Sequence, residues 1–255
     1  MKYIKWKYFK PTALYVGVVF ALELIVYMLF FSRTTGKSLE HFERFFERNS
    51  VIFTGVVLLF LLAILMSRTS VREKVLNETK SKLTIKYLYL IPFGIILSVC
   101  GSMFSSLFYR WETTAIYSSH ILIQIGALVV LAPLVEEILF RCLTYKVIKN
   151  DHSVTIAMVI STILFTIVHL SNPQQASFDV ILGVFLVCVY EIYNDLKATI
   201  LAHAITNLTS IICAAYGLNI TIESKLVVSI VSVTSLLLSL YFLYVLNKGK
   251  EQESE

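Results

Sequence analysis

The sequence is short of charge and of cysteine. Only 15% of its 255 residues are charged. A soluble domain of this length seldom carries so few, which argues against one. Cys100, Cys142, Cys188 and Cys213 all lie in apolar segments and form no C-x-x-C pair. That pattern fits buried free thiols and gives no basis for a disulfide framework. Nothing resembles a phosphate loop or a dinucleotide fingerprint. No internal repeat or low-complexity tract is evident. The net charge of +5 sits in particular loops, so it is no signal for nucleic acid.

What is present is apolar. The chain is 57% hydrophobic, with 17 Phe and 14 Tyr, and these residues fall in long blocks. Such blocks, separated by short connections, predict an all-α polytopic membrane helix bundle, with residues 1–255 forming one domain. About eight spans are expected: Thr12 to Phe31, Val51 to Met66, Tyr87 to Tyr109, Tyr117 toward Ile148, Val154 to Leu170, Phe178 to Tyr193, Leu196 to Tyr216 and Leu226 to Leu246. The basic start, Met1 to Lys10, resembles that of a signal peptide. The apolar block behind it is too long, and no cleavage site of the A-x-A type follows, so it reads as a retained first span.

The connections add detail. Leu39, Phe42, Phe45 and Phe46 fall on one helical face, as in a short helix lying in the membrane interface or against the outer end of the bundle. Ser67 to Lys86 is the most basic loop. The charged tail, 247–255, reads as disordered. Fifteen Lys and Arg fall on one side of the bundle and six on the other, which predicts that both termini are cytoplasmic. The expected location is a cell membrane, the bacterial cytoplasmic membrane.

The chemistry concentrates in Leu131 to Lys146, L-A-P-L-V-E-E-I-L-F-R-C-L-T-Y-K, the centre of a motif core over 131–210. Glu136, Glu137 and Arg141 are costly in hydrocarbon, which makes an intramembrane cluster a functional hypothesis by default. Glu137 and Arg141 are spaced i, i+4 and can pair along one face. Glu136, turned about 100° away, is left to face a cavity as a general base. Pro133 can kink the helix and free backbone carbonyls. His203 and Asn207 also share a face and can both donate to an oxyanion. His169 could hold and polarise a water with Glu136. Each of these segments also has a plainer reading, as an interfacial histidine or as polar contacts between helices. On the expected topology, His169 lies near the outer end of its span and the glutamates toward the cytoplasmic end of theirs. Convergence therefore requires unequal helix depths. Glu23 and Glu191 lack a nearby motif and read as carboxylates reaching water, while His120 and His152 read as loop residues.

Glu136-Glu137-Ile-Leu-Phe-Arg141, Phe165-Thr-Ile-Val-His169 and His203-Ala-Ile-Thr-Asn207 match E-E-x-x-x-R, F-x-x-x-H and H-x-x-x-N, in that order. The chain thereby resembles the CAAX protease and bacteriocin-processing (CPBP, or Abi) family of intramembrane proteases. The resemblance runs from Ala132 to Asn207; Cys142 departs from it where Gly is usual, as does Val187 where a small residue often stands. It implies an endopeptidase acting on membrane-associated peptides or lipidated proteins. Glu136 and His169 would activate water, and His203 and Asn207 would form the oxyanion site. The family is commonly named a metalloprotease family, and Glu136, His169 and His203 could alternatively ligate zinc. A metal-free glutamate mechanism, requiring no cofactor, fits the residue roles better. Competing readings are a non-catalytic immunity or regulatory protein bound to another membrane protein, and a proton-coupled transporter, which should show paired broken helices.

Overall fold

The computed structural model of the chain describes residues 5–32, 39–108, 120–215 and 225–252. Nine helical segments are named here: α1 (Lys10–Ser32), α2 (Leu39–Ser67), α3 (Thr69–Glu78), α4 (Leu90–Ser106), α5 (Ile121–Lys149), α6 (Val154–Ile167), α7 (Pro173–Tyr193), α8 (Leu196–Ala215) and α9 (Lys225–Gln252). No strand occurs among the described residues. Six stretches are long and apolar enough to cross a membrane, namely Ile85–Ser106 together with α1, α2, α5, α7 and α8, and two shorter apolar stretches lie in α6 and α9. The protein is a multi-pass helical membrane protein.

The core is built on α5. Val135, Ile138, Leu139 and Phe140 have no exposed surface and pack with Leu97 of α4, Phe165 of α6, Leu182 of α7 and Ala202 of α8. Burial of apolar surface cannot drive helix association in lipid, where the tails are as apolar as leucine, so close packing must. Gly94 of α4 shows how close. A Cβ there would lie 2.7 Å from Ile205 Cγ2 and 3.1 Å from the Ala202 carbonyl oxygen. Thr206 Oγ1 also donates to the Gly94 carbonyl at 3.3 Å. Gly94→Val should force α4 from α8 and cost about 1–3 kcal/mol, as overpacking does. A melting curve in detergent reads this; an unchanged midpoint would show that the contact yields.

Several expectations are corrected. The aromatic-faced segment from Leu39 is not a separate interfacial helix but the first turns of α2, because neither Pro nor Gly stands between it and Val51. Its Phe42 packs on Tyr27 and Phe30 of α1, at ring distances of 5.1 and 5.4 Å. The basic loop contains α3, whose Val71 and Val75 are buried. The seventh helix starts at Pro173, ahead of the expected Phe178, because Asn172 caps it by accepting from the Gln175 N–H. The last helix runs to Gln252 through most of the segment expected to be disordered. Tyr109, residues 117–119, Tyr216 and residues 253–255 lie outside the described residues.

At the end holding the turn 150–153, polar contacts tie the helices together. Asp151 accepts from Tyr8 Oη at 2.6 Å and pairs with Lys5 at 3.2 Å and Lys7 at 2.7 Å. Those bonds hold its carboxyl well below the usual carboxylate range. Burial, then Asp151, pushes the Tyr8 hydroxyl up to about 12. Asp195 caps α8 by accepting from Lys197 N at 2.8 Å, and it also accepts from Ser81 and Tyr87. Asn194 closes α7 in the left-handed region at φ 48°, where asparagine is tolerated. Glu191 pairs with Lys149 at 2.7 Å, so it is not simply a carboxylate reaching water.

Candidate active site

Two π-helical stretches, Ile125–Leu131 and Ile138–Tyr145, flank Ala132–Glu137 in α5. In the first, the Ala132 N–H bonds to Ala127 O, five residues back. The next bond in that register would run from residue 133 to Leu128 O. Pro133 has no N–H, so that carbonyl is left free. Asn207 Nδ2 fills the place, donating to Leu128 O at 2.8 Å. Asn207 thus secures the kinked helix, and its amide keeps a second hydrogen.

Helix lengths explain how His169 reaches Glu136. From the turn 150–153, Glu136 lies thirteen residues back from Lys149, and α6 runs forward for fourteen residues. At 1.5 Å per residue, both paths cover about 20 Å. The α6 helix therefore stops at the depth of Glu136 rather than crossing. Asn172 is extended ahead of Pro173, as a residue before proline prefers, and the turn between α6 and α7 carries His169 within the bundle.

The site is a ring of carboxylates and imidazoles. Glu136, 5% exposed, turns Oε1 toward His169 Nε2 and Oε2 toward His203 Nε2, each across 3.8 Å. Those gaps are too long for a direct hydrogen bond. Each histidine has its other nitrogen on a carboxylate. His203 Nδ1 lies 3.0 Å from Glu137 Oε1. His169 Nδ1 lies 3.0 Å from Asp179 Oδ2 and 3.1 Å from Phe165 O. Because only acceptors face them, both Nδ1 atoms carry the proton. Glu137 Oε2 meets Arg141 Nε at 3.0 Å, and both side chains are fully buried. That contact is an ion pair whose angle falls outside hydrogen-bond geometry. The guanidinium carbon also lies 5.2 Å from the centre of the Phe165 ring, within reach of a cation–π attraction. Phe165, which opens the F-x-x-x-H motif, contacts both His169 and His203 edge-on, so it packs between them.

Glu136, His169, His203 and Asn207 all line one cavity of about 590 Å³, which Tyr15 and Phe53 also line. Glu137 and Arg141, both fully buried, do not line it. Sequence reasoning passed over Asp179, which holds His169 and is itself bonded by Gln175 Nε2 at 2.9 Å. The available signal was a carboxylate one residue inside an expected span. It also missed the second bond of Glu137, to His203.

The donor types also suit zinc, and the carboxylate behind each histidine is the outer-shell pairing that zinc histidines use. The arrangement itself does not form a ligand set: among the described residues no three His, Cys, Asp or Glu side chains are grouped to hold a metal ion.

Fold and site together define a class: a polytopic helical membrane protein with a buried glutamate and histidine centre facing a cavity. Residues 118–209 match the family model described as type II CAAX prenyl endopeptidase Rce1-like. That segment holds all three motifs, in agreement with the CPBP resemblance, and at family level it supports a CAAX-type intramembrane protease. No curated protein matches the chain. No solved structure matches it either.

Proposed function

We propose that the protein is an intramembrane endopeptidase that hydrolyses peptide bonds of membrane-associated peptides or lipidated proteins with Glu136 as the base. The observation that carries this is the pair of 3.8 Å gaps between Glu136 and the two imidazoles, opening on the cavity. A water bonded at about 2.8 Å to both Glu136 Oε1 and His169 Nε2 spans such a gap at close to a right angle. It gives one hydrogen to Glu136 and turns a lone pair toward the scissile carbonyl, while His169 Nε2 holds it in place. Phe165 O and the neighbouring Asp179 carboxylate face His169 Nδ1, which leaves Nε2 turned to the water. Glu136 takes the proton as the oxygen–carbon bond forms. The oxyanion is met by His203 Nε2 and the second amide hydrogen of Asn207. Donation from Nε2 while Nδ1 faces Glu137 requires a proton on both nitrogens, and the Glu137 carboxylate would stabilise that charge. Collapse breaks the carbon–nitrogen bond, and Glu136 returns its proton to the leaving amine. The positive-inside pattern favours both termini in the cytoplasm.

The test is cleavage of a panel of prenylated and leader-type peptides by the purified protein in detergent. Wild type is compared with His203→Ala, each with and without a strong zinc chelator. Cleavage by wild type that survives the chelator and falls by about 10²–10³-fold in His203→Ala, the usual loss for one oxyanion donor, is the expected result. Activity lost to the chelator and restored by zinc would replace this mechanism with a metal-dependent one. Full cellular function retained in His203→Ala, with no peptide cut, would favour a non-catalytic immunity or regulatory protein.

A further inference from the structure

Glu23 is a carboxylate of the cavity wall that the hydrolysis above does not use. It lies on α1, whose most apolar window has a mean hydropathy of 2.3. It lines the main cavity and also a second, smaller one, whose wall Tyr27, Phe42 and Phe46 share. An ionisable group in hydrocarbon needs a partner, and in membrane helices such groups mark paths for substrate or ions. The other acids of the main cavity have theirs: Asp179 holds His169, and Glu136 faces both histidines. Among the described residues, no Lys or Arg lines either cavity. Glu23, exposed on α1, thus shares these walls with aromatic rings and, among the described residues, with no Lys or Arg. Aromatic faces beside a carboxylate suit the stem and head of a basic side chain.

Spacing gives the distance from the chemistry. Glu23 stands eight residues beyond Tyr15, which shares the cavity wall with Glu136 and Asp179. Eight residues of helix rise about 12 Å. An extended peptide covers that in three to four residues, at about 3.3 Å each.

We propose that Glu23 forms a specificity subsite that receives a Lys or Arg side chain of the substrate peptide, three to four residues from the scissile bond. This names a substrate class for the proposed protease and rests on that reading.

Binding tests this apart from cleavage. The protein carries Glu136→Gln, so that peptides stay intact, and is held in an uncharged detergent. Fluorescent amphipathic peptides that differ at one position, Lys, Gln or Glu, are titrated by anisotropy. The Lys peptide should bind about tenfold more tightly than the Gln peptide, the worth of one well-placed pair at about 1.4 kcal/mol. Adding Glu23→Gln should bring that ratio close to one, and Glu23→Lys should make the Glu peptide the preferred one. Equal binding of all three peptides, or a Lys preference that survives Glu23→Gln, overturns the subsite and leaves the proteolytic reading standing. A Lys preference in a protein that cuts nothing keeps the subsite and counts against proteolysis.

Discussion

Glu136→Gln should lower kcat/KM by about 10²–10⁴-fold, the range that a positioned general base supplies. Glutamine keeps the shape of the side chain and can still lie between the two imidazole Nε2 atoms. It cannot take a proton from water at neutral pH. The loss should fall in kcat, with KM little changed, because Glu136 acts on the water rather than on the bound peptide. Glu136 is 5% exposed and is not part of the Glu137–Arg141 pair, so the variant should melt close to wild type. A drop of less than tenfold in a folded variant would remove Glu136 from the role of base.

Arg141→Leu should cost about 3–5 kcal/mol of stability, the range for breaking a buried pair by deleting one partner. Arg141 and Glu137 have no exposed side-chain surface, and their contact is 3.0 Å. Without the guanidinium, the Glu137 carboxylate is left in the core beside a single histidine. Replacing both partners removes the stranded charge, so Glu137→Gln with Arg141→Leu should recover most of the loss. Activity should not return with stability, because a neutral amide in place of the Glu137 carboxylate no longer stabilises an imidazolium at His203. Unfolding midpoints of the two single variants and the double variant, read beside cleavage rates, give this cycle. An Arg141→Leu protein as stable as wild type would show that the pair is dispensable to the fold.

Much of this arrangement was legible from spacing along one helix. Glu137 and Arg141, four apart, do pair on one face. His203 and Asn207, four apart, do face one cavity. Pro133 does free a carbonyl, because a missing N–H is a local property of the chain. The apolar blocks placed the helices for the same reason: hydrocarbon demands backbone bonds satisfied within each segment. Boundaries failed where capping decided them, as at Asn172, or where no breaker interrupted a polar stretch, as at the start of α2.

What the sequence by itself determined, then, is the class of fold, the helical segments and the same-helix pairs of the site. Tertiary structure alone decided the pairs between helices: Glu136 with two histidines, Glu137 with His203, Asp179 with His169, and Asn207 with the freed carbonyl of Leu128. The physical reason is depth. A face follows from residue spacing, but which side chains on different helices share a level depends on where each helix starts, stops or changes register. Here α6 ends within the bundle and α5 shifts into π register on both sides of Glu136, and neither feature has a simple signature in the residues that cause it.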